Sequence, residues 1–451
     1  MDNLSQNSKA CEEKNHSGLQ EAMTKILSMA KQKGATEAEV MSGIDSGFSV
    51  DVRLGDTEKV EFSHDKSIGV TVFIDKCKGS ASTSDMSDSS LAMIVDKAID
   101  IAKVSASDEC FGLADKSLMA IDYPDLSLNH PWDLNTEQAI KLGQECEALA
   151  MQKDKRIVNS EGASVSSYQF TRGYANSNGF LGEVLSTRHS LSCILVAQDD
   201  KGMQRDYDYT TARRSEYLMS IDRLAMSAAD KTLARLNARK IKTQQLPVLF
   251  SAQIASTLIG SFISAISGGN LYRKNSFLVD GLGLQVFPEF VQIHEQPHLL
   301  TALGSSPYDG DGLLTRNNQF IADGKLVNYV LGTYTARRLG MESTANSGGV
   351  NNLTVDDTGQ DFKQLVSSMH KGIIVTELMG QGINITTGDY SRGAAGFWVE
   401  NGEILYPIDE FTIAGNLQTM FKQISAIGTD IDTRKSTRCG SILIDNMMIA
   451  G

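Results

Sequence analysis

Apolar residues recur at Leu19, Ala22, Met23, Ile26, Met29 and Ala30, the three-and-four spacing of an amphipathic helix, and Gly34 follows as its terminator. From 37 to 83 the period shortens to alternation. The runs EVMSG, FSVDVRL, KVEFS and SIGVTVFI, separated by Gly-Asp and His-Asp-Lys turns, predict an antiparallel meander. Helical spacing returns over 89–103 and again over 136–152. Strands are expected between Ile157 and Val196, including STRHSLSCILVA, and then a helix that Ser220 caps and that runs to Arg239.

The polar, basic stretch Lys240–Gln245 ends that helix just before LPVLFS, which reads as a buried strand. It divides the chain into a disordered segment 1–17, an N-terminal α+β domain 18–242 and a C-terminal β-rich domain 243–451. Helices and hairpins fall in separate runs, which favours α+β over a doubly wound parallel sheet. The cluster Arg235–Lys240 fits the cationic end of a helix, where the macrodipole favours positive charge.

Composition narrows the function. The 451-residue chain has a net charge of -13, which argues against sequence-independent binding to nucleic acid. No 18-residue apolar run offers a membrane span, and the first residues have neither a secretory apolar region nor Arg-rich transit character, so a cytoplasmic protein is expected. Cys11, Cys77, Cys110, Cys146, Cys193 and Cys439 form no C-x-x-C pair and suggest reduced thiols.

The segment 377–402, ELMGQGINITTGDYSRGAAGFWVENG, threads glycines through a strand-prone run. Gly380, Gly382, Gly388, Gly393 and Gly396 mark bends or close backbone approaches, and Asn401-Gly402 between FWVE and EILYPI is a hairpin turn. Such a backbone suits a place beside something bound; the plainer alternative is a bent sheet edge with ordinary turns.

His294-Glu295-Gln296-Pro297-His298 fits H-E-x-x-H, in which two histidines one turn apart hold zinc and the glutamate acts as base. That geometry needs a continuous helix. Pro297 opposes one and VFPEFVQI before it looks extended, so the motif is expected at a strand-to-loop exit. Asp309-Gly310-Asp311-Gly312 lacks the later acidic ligand of a calcium loop and reads as a turn. Gly281-Leu282-Gly283 lacks the third glycine of a dinucleotide fingerprint, and no G-x-S-x-G elbow occurs.

Taken together, YRKNSF, the 377–402 tract, IAGN at 413–416 and the ending from QISAIGTDI to RCGSI resemble the TldD/PmbA family, in particular its PmbA (TldE) branch, over essentially the whole chain. The resemblance implies a two-domain α+β protein that pairs with a TldD-like subunit in a cytoplasmic heterodimeric metallopeptidase acting on unfolded or extended peptides. It also implies that the partner carries H-E-x-x-x-H on a helix early in its C-terminal domain, completed by a cysteine near the C-terminus. The corresponding helix here, within Ser251–Asn270, contains no His, Cys, Asp or Glu. Cys439 matches the third ligand, and a lone thiol will not hold a catalytic metal.

On this resemblance the glycine-rich segment would add the extended peptide as a strand, with Asp389, Tyr390 and Arg392 orienting it; the plainer alternative for those three is a turn closed by an internal ion pair. The leading expectation is therefore a non-catalytic subunit that binds no cofactor itself, with zinc in the partner. The rivals are a stand-alone peptide-binding homodimer and a zinc peptidase using His294, Glu295 and His298. An older association of this family with DNA gyrase finds no support in the acidic composition.

Overall fold

A computed structural model describes residues 18–451; the expected disordered segment 1–17, with Cys11, lies outside the described residues. The chain is α+β, as its separate runs of helix and strand predict.

Helix α1 spans 18–32. It is followed by strands β1 (Glu37–Arg53), β2 (Asp56–Ile74) and β3 (Cys77–Thr83), and by helices α2 (Asp88–Val104) and α3 (Thr136–Gln152). Strands β4 (Ile157–Asn176), β5 (Leu181–Asp199) and β6 (Gly202–Ala212) and helix α4 (Ile221–Ala234) complete the first half. All six strands form one antiparallel sheet in the order β3-β2-β1-β4-β5-β6, so β1 and β4, distant in sequence, meet at its centre. Alternation buries Val50, Val52, Val165, Cys193 and Leu195 beneath α3 and α4, while Val40, Val70 and Val72 pack under α1 and α2.

Two sequence expectations are corrected here. No turn interrupts His64-Asp65-Lys66, which pairs in register with Ser46, Asp45 and Ile44, because exposed polar positions on one face do not break a strand already paired on its backbone. The turn at Leu54-Gly55 does form, with φ of 51° and 83°. The buried carboxylate of Glu147 on α3 accepts both of its amide N–H groups, at 2.9 and 2.8 Å. Helix α4 ends at Ala234 rather than Arg239, since Asn237 turns into the left-handed region and donates its N–H to Asp199.

The second half begins with β7 (Gln244–Phe250), α5 (Ala252–Ala265) and α6 (Gly268–Tyr272). A small sheet gathers β8 (Ile293–Glu295), β9 (Gln319–Ala322), β10 (Lys325–Leu326) and β11 (Leu353–Val355), with helix α7 (Thr333–Leu339) between the last two. Next come α8 (Phe362–Ser368), β12 (Lys371–Met379), β13 (Asp389–Glu400), β14 (Glu403–Asn416) and α9 (Leu417–Lys422). The chain closes with β15 (Ile424–Ile427), β16 (Thr437–Arg438), which joins the small sheet, and β17 (Ile442–Ala450).

Strands β7, β12, β13, β14 and β17 pair around a ring, because β14 bonds β17 as well as β13, and the sheet closes into a barrel. Closure removes the free edges of these strands. Helix α5 plugs the structure with Ala255, Leu258, Ile259, Phe262 and Ala265, spaced three or four apart on one stripe and buried. Phe262 meets Phe287 edge-on at 5.1 Å, and Phe287 stacks on Phe421 at 4.8 Å. Each fully buried side chain of this size stabilises the fold by about 1.5–3 kcal/mol.

Polar bridges join the two halves. Arg213 donates to the carbonyls of Ala302 and Leu303, and Arg337 donates to those of Cys110, Gly112 and Leu113.

Candidate functional site

A cavity of about 830 Å³ opens between the two halves, bounded by β6, the last turn of α4, the first turn of α5 and the end of β12. Its volume is that of a ligand site for a small molecule or a few peptide residues. The stripe that anchors α5 in the core leaves Gln253, Ile254 and Thr257 facing the cavity. Tyr207, Tyr209, Leu378 and Phe397 add aromatic and apolar wall.

Charge is arranged in pairs around it. Asp208, buried at 3% exposure, accepts from Ser227 Oγ at 2.5 Å, Lys231 Nζ at 2.9 Å and Arg434 Nη1 at 3.0 Å. Burial pushes this carboxyl up, but the Ser227 hydroxyl and the Lys231 cation outweigh it and hold Asp208 below the usual range. Arg434 also bonds Asp432 with two nitrogens and the Tyr209 carbonyl at 2.9 Å, and lies 4.4 Å over the Tyr209 ring, so it rivets the C-terminal half to β6. Arg235 pairs with Glu377 and, at 3.6 Å, with Asp206, whose carboxyl burial raises. Lys435 donates to the Gln253 carbonyl and the Ser256 hydroxyl, and burial lowers its pKa.

The glycine-rich tract is divided between barrel and cavity. Asn401 and Gly402 adopt φ of 54° and 78° in a two-residue hairpin between β13 and β14, as the sequence predicts. A Cβ on Gly382 would stand 1.8 Å from the Ser391 carbonyl oxygen, and one on Gly396 would stand 1.8 Å from that of Ile374. These two glycines are thus required by strands of the same chain crossing closely, and β13 is paired on both sides, which leaves no edge there for an added peptide strand. Gly380 turns at φ 76° in open space, and a Cβ on Gly393 would first meet the Cβ of Met379, at 3.3 Å.

Asp389 bonds Thr387 and Asn416, and no Asp389–Arg392 ion pair forms among the described residues, so the internal-ion-pair alternative does not hold. Tyr390 is buried, its phenol pushed up to about 12 by burial against the opposing influence of Arg392. Arg392 alone of the six residues expected at a peptide site lines the cavity.

The H-E-x-x-H segment lies on a strand and its exit, as Pro297 implies. His294 and Glu295 are neighbours on β8, so their side chains point to opposite faces. Glu295, 1% exposed, accepts from Asn318 Nδ2 and Asn346 Nδ2 at 2.9 Å and from the Asn351 N–H; burial raises its pKa although these bonds oppose it. His294 stands 3.6 Å from Asp356, and His298 meets Thr315 Oγ1 at 2.9 Å. The Asp309–Gly312 segment is a turn in which Asp309 accepts from the N–H groups of Asp311, Leu313 and Ser347.

The residues at α5 do not fit a zinc ion. Zinc takes three or four imidazole, thiolate or carboxylate donors, whereas the cavity face of α5 carries amide and hydroxyl groups. Cys439 is buried in the barrel core, donates to the Gly440 carbonyl at 3.1 Å, and is driven far up in pKa by burial, which disfavours the thiolate a metal would need. Among the described residues no three His, Cys, Asp or Glu side chains gather as a metal cluster. Sequence reasoning passed over Asp208, Arg434 and Lys435 and read Arg235 only as part of the cationic end of a helix; the signal was the basic pair Arg434-Lys435 shortly before Cys439.

Family models described as PmbA/TldA metallopeptidase domain 1, central domain and C-terminal domain match residues 38–102, 129–236 and 243–451. The chain is 45% identical to Metalloprotease PmbA of Escherichia coli O157:H7 over 433 residues, 96% of each chain. It is also 45% identical to the Metalloprotease PmbA homolog of Haemophilus influenzae, again over 96% of each. A Bacteroides thetaiotaomicron crystal structure, named for modulation of DNA gyrase, superposes with a TM-score of 0.90 at 27% identity, covering 96% of this chain and 98% of that one. TldE from Thermococcus kodakarensis shares the fold, with a TM-score of 0.79 at 19% identity over 95% of this chain and all of that one. The chain belongs to the PmbA/TldD metallopeptidase family, in its PmbA/TldE branch. Among the described residues no helix is long and apolar enough to cross a membrane.

Proposed function

We propose that this chain is the TldE-type subunit of a cytoplasmic heterodimeric metallopeptidase, that a TldD-like partner supplies the zinc and the general base, and that this subunit holds part of an extended peptide in the inter-domain cavity. The observation that carries the reading is the pairing of a peptide-sized cavity with a bordering helix that has no metal-binding side chain. Tyr207, Tyr209 and Phe397 would pack against peptide side chains, and Thr257 and Gln253 would supply hydrogen bonds. The N–H groups of Tyr207 and Tyr209 are already held by Asp206 and Asp208, so the peptide would be bound by side chains more than by strand addition to β6.

Co-expression with a TldD homologue tests the assembly. An obligate pair should co-purify at fixed stoichiometry through a large interface. Elution as separate species, with peptide still bound by this chain, would instead favour the stand-alone homodimer.

A further inference from the structure

Strand β2 outruns the strand beside it. On one side β1 pairs with it from Asp56 to Phe73, whereas on the other β3 pairs only with Ile68–Ile74. The outer edge of 57–67 therefore has no neighbouring strand among the described residues, and its free backbone groups are a template for one. No proline interrupts this stretch. Most of it is exposed, including Val60 and Phe62, the latter at 71%, although Phe62 meets the Phe48 ring at 6.1 Å on its inner side.

Charges on an edge strand ordinarily deter pairing, but the signs here are ordered so that the strand complements a second copy of itself. A two-fold axis normal to the sheet at Phe62 runs two copies antiparallel. It sets Phe62 against Phe62 and Val60 against His64, and it brings Lys59 of each copy opposite Asp65 of the other, with Glu58 near Lys66 at each end. Lys59 and Asp65 share a face of β2, because they lie opposite Asp51 and Asp45 on one face of β1. The adjacent registers that keep the faces aligned put Glu61 against its own copy or against Asp65, both repulsive. Within one chain Lys59 pairs with Glu61 at 2.6 Å, while Asp65 and Lys66 have no ion-pair partner among the described residues. Length agrees with charge: the free stretch 57–67 is itself centred on Phe62, so two copies paired there fill the same gap between hairpin turn and β3. We infer that the free edge of β2 is a self-association surface, on which two copies of this chain join antiparallel about Phe62 and continue one sheet across both. With a TldD-like partner bound elsewhere, the same edge would join two heterodimers.

Sedimentation velocity of the full-length chain over a concentration series tests the pairing. An edge contact buries less than a standard-size interface, so a reversible dimer with a Kd on the order of 10–100 μM is expected, weakened by added salt. Lys59→Glu and Asp65→Lys each place like charges opposite one another twice, and each should weaken self-association at least about tenfold. Both positions are exposed, so the variants should fold as the unaltered chain does. Mixed in equal amounts, the two variants should form a mixed dimer with close to the original Kd, since each offers the sign that the other lacks. A chain still monomeric at about 300 μM would overturn the inference, as would a dimer indifferent to both substitutions. Variants that fail alone and do not recover when mixed would also overturn it. If the unaltered chain is monomeric and Lys59→Glu no longer co-purifies with a TldD homologue, the edge belongs to the heterodimer contact and self-association is overturned.

Discussion

Two segments of the C-terminal half invert what their sequences advertise. Residues 294–298 spell a zinc-protease motif, yet the structure spends Glu295 on two asparagine amides and a backbone N–H, and points His294 the other way. The first turn of α5 carries no residue of acid–base or metal chemistry, yet it borders a cavity of about 830 Å³ between the two halves. A motif is a statement about geometry before it is one about residue types. Two imidazoles four residues apart serve a metal only on a continuous helix, and Pro297 at a strand exit forbids that helix.

The contrast predicts stability effects at the first segment and functional effects at the second. The largest loss should follow Glu295→Ala, which strands two buried amides and one N–H; about 3–5 kcal/mol of unfolding free energy should disappear in urea denaturation. Intact stability with abolished hydrolysis by the complex would make Glu295 a catalytic base instead.

Nearby, Asp309 is pushed up to about 6 by burial and by Asp311, so the folded state binds its proton more tightly than the unfolded chain does. Stability from this group therefore rises as pH falls from about 6 towards 4, by up to about 3 kcal/mol, and is flat above about 7. Unfolding curves of the native chain and Asp309→Asn should differ in slope across that window, and parallel curves would remove the assignment.

At α5, Gln253→Ala breaks only long contacts of 3.4 Å with Lys231 and Tyr207 and should cost less than about 1 kcal/mol of stability. It should nonetheless slow peptide hydrolysis by the assembled pair several-fold, mainly through KM. The smallest effects belong to His294→Ala and His298→Ala, each within about 1 kcal/mol in stability and about twofold in turnover. A tenfold loss from either would restore the motif.

Much of the fold was legible. Helical spacing placed α1, α2 and α3, Asn401-Gly402 placed a hairpin, and the tract from Gly380 to Gly402 carried the family. What escaped depends on partners remote in sequence. The barrel closes because β14 meets β17, a pairing that no local window contains, whereas the close backbone approaches at Gly382 and Gly396, against the Ser391 and Ile374 carbonyls, were legible from the glycines themselves. His64-Asp65-Lys66 imitates a turn until its pairing with β1 is seen.

The site was harder still. Arg392 was visible as an orienting residue, but the buried cluster of Asp208, Lys231 and Arg434 joins positions more than 200 apart in sequence at its extremes. Polar networks of that reach leave only composition behind, here the basic pair before Cys439.

The central claim, that this chain contributes a metal-free peptide-holding subunit, is tested most directly by measuring zinc content and hydrolysis of an unstructured peptide for this chain alone, a TldD homologue alone, and the two mixed. The account predicts zinc bound to the homologue and full activity only in the mixture. Metal-dependent hydrolysis by this chain alone, with nearly one zinc per chain, would contradict it.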